Sequence, residues 1–219
     1  MSPLAILGLG LALGIRHASD PDHVVAVAAI TARTRRLLPA TLLGAIWGLG
    51  HSLTLFVVGG AIVAFNLVVP PRIGLALEFA VALALIVVGL LNLGRGHTHL
   101  HAQMSSETPL PKWRAFFVGT VHGLAGSAAV ALLVLATVRD VGTALAYLLT
   151  FAVGTLVGMA LITTGMAAPL ALGAARWPHF AKSLRVATGL LSVGFGVYLA
   201  WQIGFVDGLF GAHPTWDPH

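Results

Sequence analysis

Polar residues are so sparse along this chain that they punctuate six long apolar runs, at about residues 3–31, 39–65, 73–94, 115–138, 142–171 and 184–205. The separators are short: TARTRR at 31–36, VVPPR at 68–72, the segment from Arg95 to Arg114, the pair Arg139–Asp140, and RWPHFAKSLR at 176–185. Each run has about the 20 residues that an α-helix needs to cross a bilayer's hydrocarbon core. The pattern predicts an all-α polytopic membrane protein of six transmembrane helices. They form a single transmembrane domain, 1–205, followed by a polar C-terminal tail, 206–219, expected to be loosely ordered.

The first run breaks its own rule. Within GIRHASDPDHVVAV, residues 14–27, it holds Arg16, His17, Asp20, Asp22 and His23 around Pro21. Proline removes a backbone hydrogen bond and clashes with the preceding turn. The first helix is therefore expected to be kinked or broken at Pro21, letting His17, Asp22 and His23 converge. Non-helical backbone at membrane depth is tolerated where it lines a cavity.

Composition strengthens the membrane reading. The 219 residues are 58% hydrophobic and 9% charged, with a mean hydropathy of +0.94, whereas soluble domains carry about 25% charged residues. The absence of cysteine excludes disulfides, thiolate metal sites and haem-attachment motifs. No basic region precedes the first apolar stretch, so a cleaved signal peptide is not expected. The net charge of +5 does not read as a nucleic-acid footprint, because the positives are sorted by loop. Loops one, three and five hold Arg33, Arg35, Arg36, Arg95, Lys112, Arg114, Arg176, Lys182 and Arg185; loops two and four hold Arg72 and Arg139. Positive residues favour the cytoplasmic side, which puts those three loops inside and both termini outside a cytoplasmic (inner) membrane.

The two halves resemble each other. GIRHASDPDHVVAVAAI aligns with GTVHGLAGSAAVALLVL, placing Gly14 on Gly119, His17 on His122 and Asp22 on Ser127. WGLGHS falls near VGTLVG, Gly89 falls on Gly196, and the offset drifts from 105 to 107. A unit of three spans is odd, so the second copy must be inverted. Repeat 1 covers about 1–95 and repeat 2 about 114–205, with a histidine-containing cytoplasmic loop at 96–113 between them. Inverted repeats with a midplane site are a recurring architecture of secondary transporters. Glycines four apart, such as Gly10/Gly14 and Gly119/Gly123, suit close helix contacts in lipid.

Each ionisable residue in a span costs about 2.5–3.5 kcal/mol and normally faces a cavity or a partner. His17, His51 and His122 fall at similar depth on three spans. Imidazole and carboxylate without sulfur suit Ni²⁺, Co²⁺, Zn²⁺, Mn²⁺ or Fe²⁺. The candidate metal ligands are His17, Asp22, His23 and His51, with Asp20, His122, Ser127 and Arg16 as further ligands or supporting residues. The plainer readings stay open: a histidine hydrogen-bonded as a packing residue, Arg16 neutralising Asp20, or Asp20 capping a helix at the break. His97, His99 and His101 in GRGHTHLHAQ form either a loose metal-binding loop or an incidental solvated one. Glu78 either attracts cations to an entrance or caps its helix.

RHASDPDH resembles the R-H-A-x-D-A-D-H signature of the nickel/cobalt transporter (NiCoT) superfamily, with Pro21 in place of the usual alanine. GHS at 50–52 is similar to that superfamily's F-x-x-G-H-S, with Trp47 where the phenylalanine stands. HGLAGS at 122–127 and the six-span length look more like its short urease-accessory, UreH-like branch. The resemblance implies metal recognition by His17, Asp22 and His23, with His51 beside them.

The expected function is secondary transport of Ni²⁺ and/or Co²⁺, most simply uptake. The chain has no G-x4-G-K-[ST] loop, so an ion gradient or the membrane potential must drive it. The metal is cargo, and no cofactor is expected. Efflux is the alternative within the class. A membrane partner in urease or other nickel-enzyme maturation, without flux, is another. An intramembrane metalloenzyme is disfavoured by the lack of H-E-x-x-H and of a spare general base. Expected partners are the divalent cation, the bilayer and nickel-enzyme maturation proteins, with no nucleic acid.

Overall fold

The computed structural model describes residues 2–31, 36–65, 67, 69–94, 111–124, 138, 140–173 and 178–216. Its helices are α1 (Pro3–His17), α2 (Pro21–Thr31), α3 (Leu37–Phe65), α4 (Pro71–Gly94), α5 (Lys112–Gly123), α6 (Val141–Gly173) and α7 (Pro178–Trp201). A π-turn, Gln202–Val206, continues α7, and no strand occurs among the described residues. α1, α2, α4 and α7 all begin at a proline. The first helical position needs no backbone N–H, and proline's fixed φ is already helical there. Asp140 caps α6 by accepting the Thr143 N–H and hydroxyl at 2.8 and 2.7 Å. Those bonds, the hydroxyl's first, hold its carboxyl below the ordinary carboxylate range.

Four helices are long and apolar enough to cross a membrane: α3, α4, most of α6, and Ser183–Val206. The first expected span is divided between α1 and α2. The fourth is represented by the 12 residues of α5, and most of its remainder lies outside the described residues. The helices are apolar outward and place their polar residues inward among buried apolar ones. α3 exposes Leu49, Leu53 and Val57, and α6 exposes Leu149, Val153, Val157 and Leu161. The faces they bury carry His51, Ser52, Thr155 and Thr163. Polar groups kept off the lipid-facing surface are the arrangement lipid selects.

Close contacts at glycine fix the helix directions. α1 runs parallel to α6: Gly10 faces Tyr147 and Thr150, Gly14 faces Phe151 and Thr155, and Gly158 faces Ile15 and Ala18. α5 runs parallel to α3, with Gly119 against Trp47 and Gly123 against His51. α3 and α6 are antiparallel, since Gly44 meets Thr163, Gly48 meets Met159 and Gly59 meets Leu148. α4 and α7 are antiparallel as well, with Gly89 on Gly189 and Gly196 on Ala82. A Cβ at Gly14, Gly50, Gly119 or Gly154 would strike a carbonyl oxygen of the neighbouring helix. Association in lipid rests on such close packing, because hydrocarbon offers no hydrophobic force between helices.

These contacts recur in exchanged form. Gly14 against the Phe151 carbonyl matches Gly119 against that of Trp47, and Gly154 against Leu11 matches Gly50 against Phe116. The offsets are 105 for α1/α5 and 104 for α3/α6. Between α4 and α7 the contacts exchange within one pair at an offset of 107, around a hydrogen bond from Ser192 Oγ to the Leu85 carbonyl at 2.8 Å. WGLGHS therefore corresponds to FAVGTL at 151–156, two residues earlier than sequence similarity suggested.

The expectation of a loosely ordered tail is corrected. Residues 207–216 fold back onto the start of α4. Trp216 Nε1 donates to Glu78 Oε1 at 2.9 Å, and Arg72 Nη2 donates to the Gly211 carbonyl at 3.2 Å. Phe210 packs edge-on against Phe79, with ring centroids 5.4 Å apart. Gly208, at φ 79°, makes the turn that starts the return. The tail's aromatic residues, diluted among polar ones, supply the docking surface. Glu78 is thus an anchor for the tail.

A leucine at Gly89 would meet the Gly189 carbonyl and Val193. Gly89→Leu is expected to destabilise the detergent-solubilised protein by about 1–3 kcal/mol, seen as a lowered thermal midpoint. Gly165→Leu, at a position with no neighbour within 4 Å, should leave it nearly unchanged. Equal midpoints would contradict the α4–α7 contact.

Candidate metal centre

The break between α1 and α2 lasts three residues, 18–20. Ser19 and Asp20 close it with i→i+3 bonds to the carbonyls of Arg16 and His17, at 2.8 and 3.0 Å. Val24 N–H then bonds the Asp20 carbonyl at 3.0 Å and starts α2. In a continuous helix the His17 carbonyl would accept from residue 21. Pro21 has no N–H to give, and His23 Nδ1 comes to that carbonyl at 2.9 Å, beside the Asp20 N–H already there. The proline thus frees the acceptor that orients His23.

That bond settles which nitrogen of His23 faces the site. A carbonyl can only accept, so Nδ1 carries the proton and Nε2 of the neutral ring presents a lone pair. His23 Nε2 is buried and has no hydrogen-bond partner. His17 is arranged in the same sense. Its Nδ1 lies 2.7 Å from Asp20 Oδ2, and the carboxylate accepts, leaving Nε2 as a lone pair. His17 Nε2 is 3.1 Å from His51 Nε2. Two nitrogens each about 2.1 Å from one ion, at a right angle, stand about 3 Å apart, so the spacing suits adjacent ligands. His51 Nε2–H can donate to His17 Nε2. An ion between them would require that proton on His51 Nδ1, a buried atom with no partner.

Asp22 lies on the other side of His23. Its Oδ2 accepts from His122 Nε2 at 2.9 Å, and its Oδ1 is 3.7 Å from His23 Nδ1. Two overlapping groups, His17/His23/His51 and Asp22/His23/His122, each bring one potential ligand atom per residue to within 4.8 Å of one another. His23 belongs to both. The histidines come from α1, α2, α3 and α5, and all four are buried. An ion at this place would meet imidazole nitrogens and a carboxylate, with no sulfur.

The expected ligands His17, Asp22, His23 and His51 therefore come together, with His122 joined through Asp22. Asp20 acts through His17, and its backbone carbonyl begins α2. Arg16 is exposed, and Asp20 pairs with His17. Ser127 and the loop residues His97, His99 and His101 lie outside the described residues. Two wall residues were not anticipated. Trp47, completely buried, sets its ring 5.6, 6.2 and 5.4 Å from those of His23, His51 and His122. Phe151 stands 5.4 Å from His17. Trp47 was detectable one helical turn before His51, and Phe151 stands out by its contact, its carbonyl meeting Gly14 as that of Trp47 meets Gly119. Ser52 of GHS ties α3 to α6 at site level, donating to the Ala152 carbonyl at 3.0 Å.

The fold and site define an α-helical membrane protein with a buried histidine–carboxylate cluster at a broken helix. The chain is 35% identical to the urease accessory protein UreH of Bacillus sp. (strain TB-90) over 218 residues, covering 94% of this chain and 95% of that protein. It belongs to the UreH family. No protein-family profile and no solved structure matches it.

Nickel titration of the purified protein checks the geometry. His23→Ala is expected to weaken binding at least tenfold. Asp20→Asn, which perturbs only the partner of His17, should weaken it about 10–100-fold. Wild-type affinity in both, with normal gel-filtration profiles, would show that nickel binds elsewhere.

Proposed function

We propose that this protein is a secondary transporter that carries Ni²⁺ and/or Co²⁺ inward across the cytoplasmic membrane through His17, Asp22, His23 and His51. The observation that carries the reading is His23: its Nε2 lone pair is buried, unpartnered and held in place by a carbonyl that Pro21 frees. Buried polar atoms ordinarily have partners. One kept open among imidazoles and a carboxylate suits a guest ion. We read the chain as a carrier and not an enzyme, since Asp22 is engaged by His122 and the open His23 Nε2 is taken up as a ligand once an ion binds.

Six spans in two inverted repeats complete the proposal. The exchanged contacts support it, as do the alternating directions: α1 and α6 run one way, and α3 and α5 the other. The loop positives put the α3 N-terminus and the loop of His97, His99 and His101 inside, where those histidines would receive the released ion. A divalent cation entering gains about 4.6 kcal/mol per 100 mV, enough for roughly 10³-fold accumulation without ATP. Metal competes with protons for the imidazoles, which allows proton coupling.

The relative's name favours a second reading, a membrane partner in urease maturation. Radiolabelled nickel and cobalt accumulation in cells expressing wild type or His23→Ala separates the readings. Uptake predicts several-fold more cell-associated metal with wild type, falling when the membrane potential is collapsed. Efflux predicts less metal with wild type. No difference in either direction, with both proteins in the membrane, would remove the transporter reading and leave the maturation partner.

A further inference from the structure

We infer that Trp47 and Phe151 are the inner and outer gates of the ion path, two versions of one element on opposite sides of the cluster. The inference rests on the transport reading for the ion's identity, but its geometry stands apart from it. Trp47 is four residues before His51 on α3, and Phe151 four residues before Thr155 on α6. Because α3 and α6 are antiparallel, one aromatic lies about 6 Å from the His51 level toward the α3 N-terminus. The other lies a similar distance toward its C-terminus.

Each aromatic sits in its own plug. Trp47 packs with Leu43, Met159, Val25 and Leu85. Phe151 packs with Tyr147, Leu148, Leu55 and Ala144. Both abut the cluster, Phe151 at His17 and Trp47 at His23, His51 and His122. Both also rest their backbone carbonyls on a glycine of the partner half, Gly14 for Phe151 and Gly119 for Trp47. The two plugs are therefore equivalent in construction and opposite in position, as alternating access requires.

A second observation agrees. Each plug encloses a buried polar atom with no partner: Trp47 Nε1 in the inner and the Tyr147 hydroxyl in the outer. Apolar plugs gain nothing from such atoms while closed. Parting either plug admits water to satisfy its polar atom, which lowers the cost of opening. In the present form the four imidazoles between the plugs are buried.

The chain has no cysteine, so Thr155→Cys places a single thiol between the plugs, at a fully buried position. The probe is a membrane-impermeant methanethiosulfonate reagent, applied to sealed vesicles of either orientation. Thr155→Cys alone should label slowly from both faces. Adding Phe151→Ala should raise the rate at least tenfold from the face of the α3 C-terminus only, and adding Trp47→Ala should do so from the opposite face only. If an alanine variant does not elute as folded protein, Phe151→Leu or Trp47→Leu should give the same sidedness at smaller amplitude. Acceleration from one common face, or none in folded variants, overturns the gates. Sided labelling together with absent metal accumulation would uphold the gates and overturn transport. Accumulation without sided labelling would do the reverse.

Discussion

One missing hydrogen bond organises this site. Pro21 cannot donate to the carbonyl of His17, and the acceptor so released is taken by His23 Nδ1 at 2.9 Å. That carbonyl also accepts the Asp20 N–H at 3.0 Å; the imidazole takes its second lone pair, which fixes both the tautomer and the direction of His23. The same three-residue break turns Asp20 onto His17 and brings Asp22 to His122. Every imidazole in the cluster except His51 is thus oriented by a bond made at or beside the break. His51 is positioned from α3, where Gly50 and the contact of Gly123 on α5 let the backbones approach.

The bundle holds that cluster by a physics unlike that of a soluble core. The outward leucines and valines, such as Leu53 and Val157, contribute no net attraction between helices in lipid. Cohesion comes from glycine contacts at carbonyl oxygens, supplemented by hydroxyl-to-carbonyl bonds such as Ser52 to Ala152 and Ser192 to Leu85. Weak Cα–H···O contacts accompany approaches of this kind. Because the same contacts occur in exchanged form, the two halves offer similar surfaces to each other while their polar endowments differ. His51 corresponds to Thr155, and Trp47 to Phe151. Charge is concentrated in the first half. The second supplies His122 and one wall.

Much of this was legible in the residues. Hydropathy marked the helices that the structure describes as spanning length, and Pro21 among His and Asp marked the break. His17, Asp22, His23 and His51 stood out because ionisable groups in apolar runs are costly. The aromatic walls were harder to see, since Trp47 and Phe151 look like any apolar residue in a span and acquire meaning only from packing. The sequence match of WGLGHS to VGTLVG lies two residues from the segment that makes the exchanged contacts, because Gly, Val and Leu align almost anywhere. The tail misled for the opposite reason: its polar composition concealed Phe210 and Trp216, whose docking depends on a surface formed by α4.

The central claim is that a divalent cation is held by the imidazoles and carboxylate gathered at the break. X-ray absorption at the nickel K-edge on the metal-loaded protein tests it most directly. The account predicts a nitrogen/oxygen shell at about 2.0–2.1 Å, with the multiple scattering of several imidazoles, no sulfur, and one imidazole fewer in His51→Ala. A spectrum of fully hydrated nickel, or one unchanged by that substitution, would contradict it.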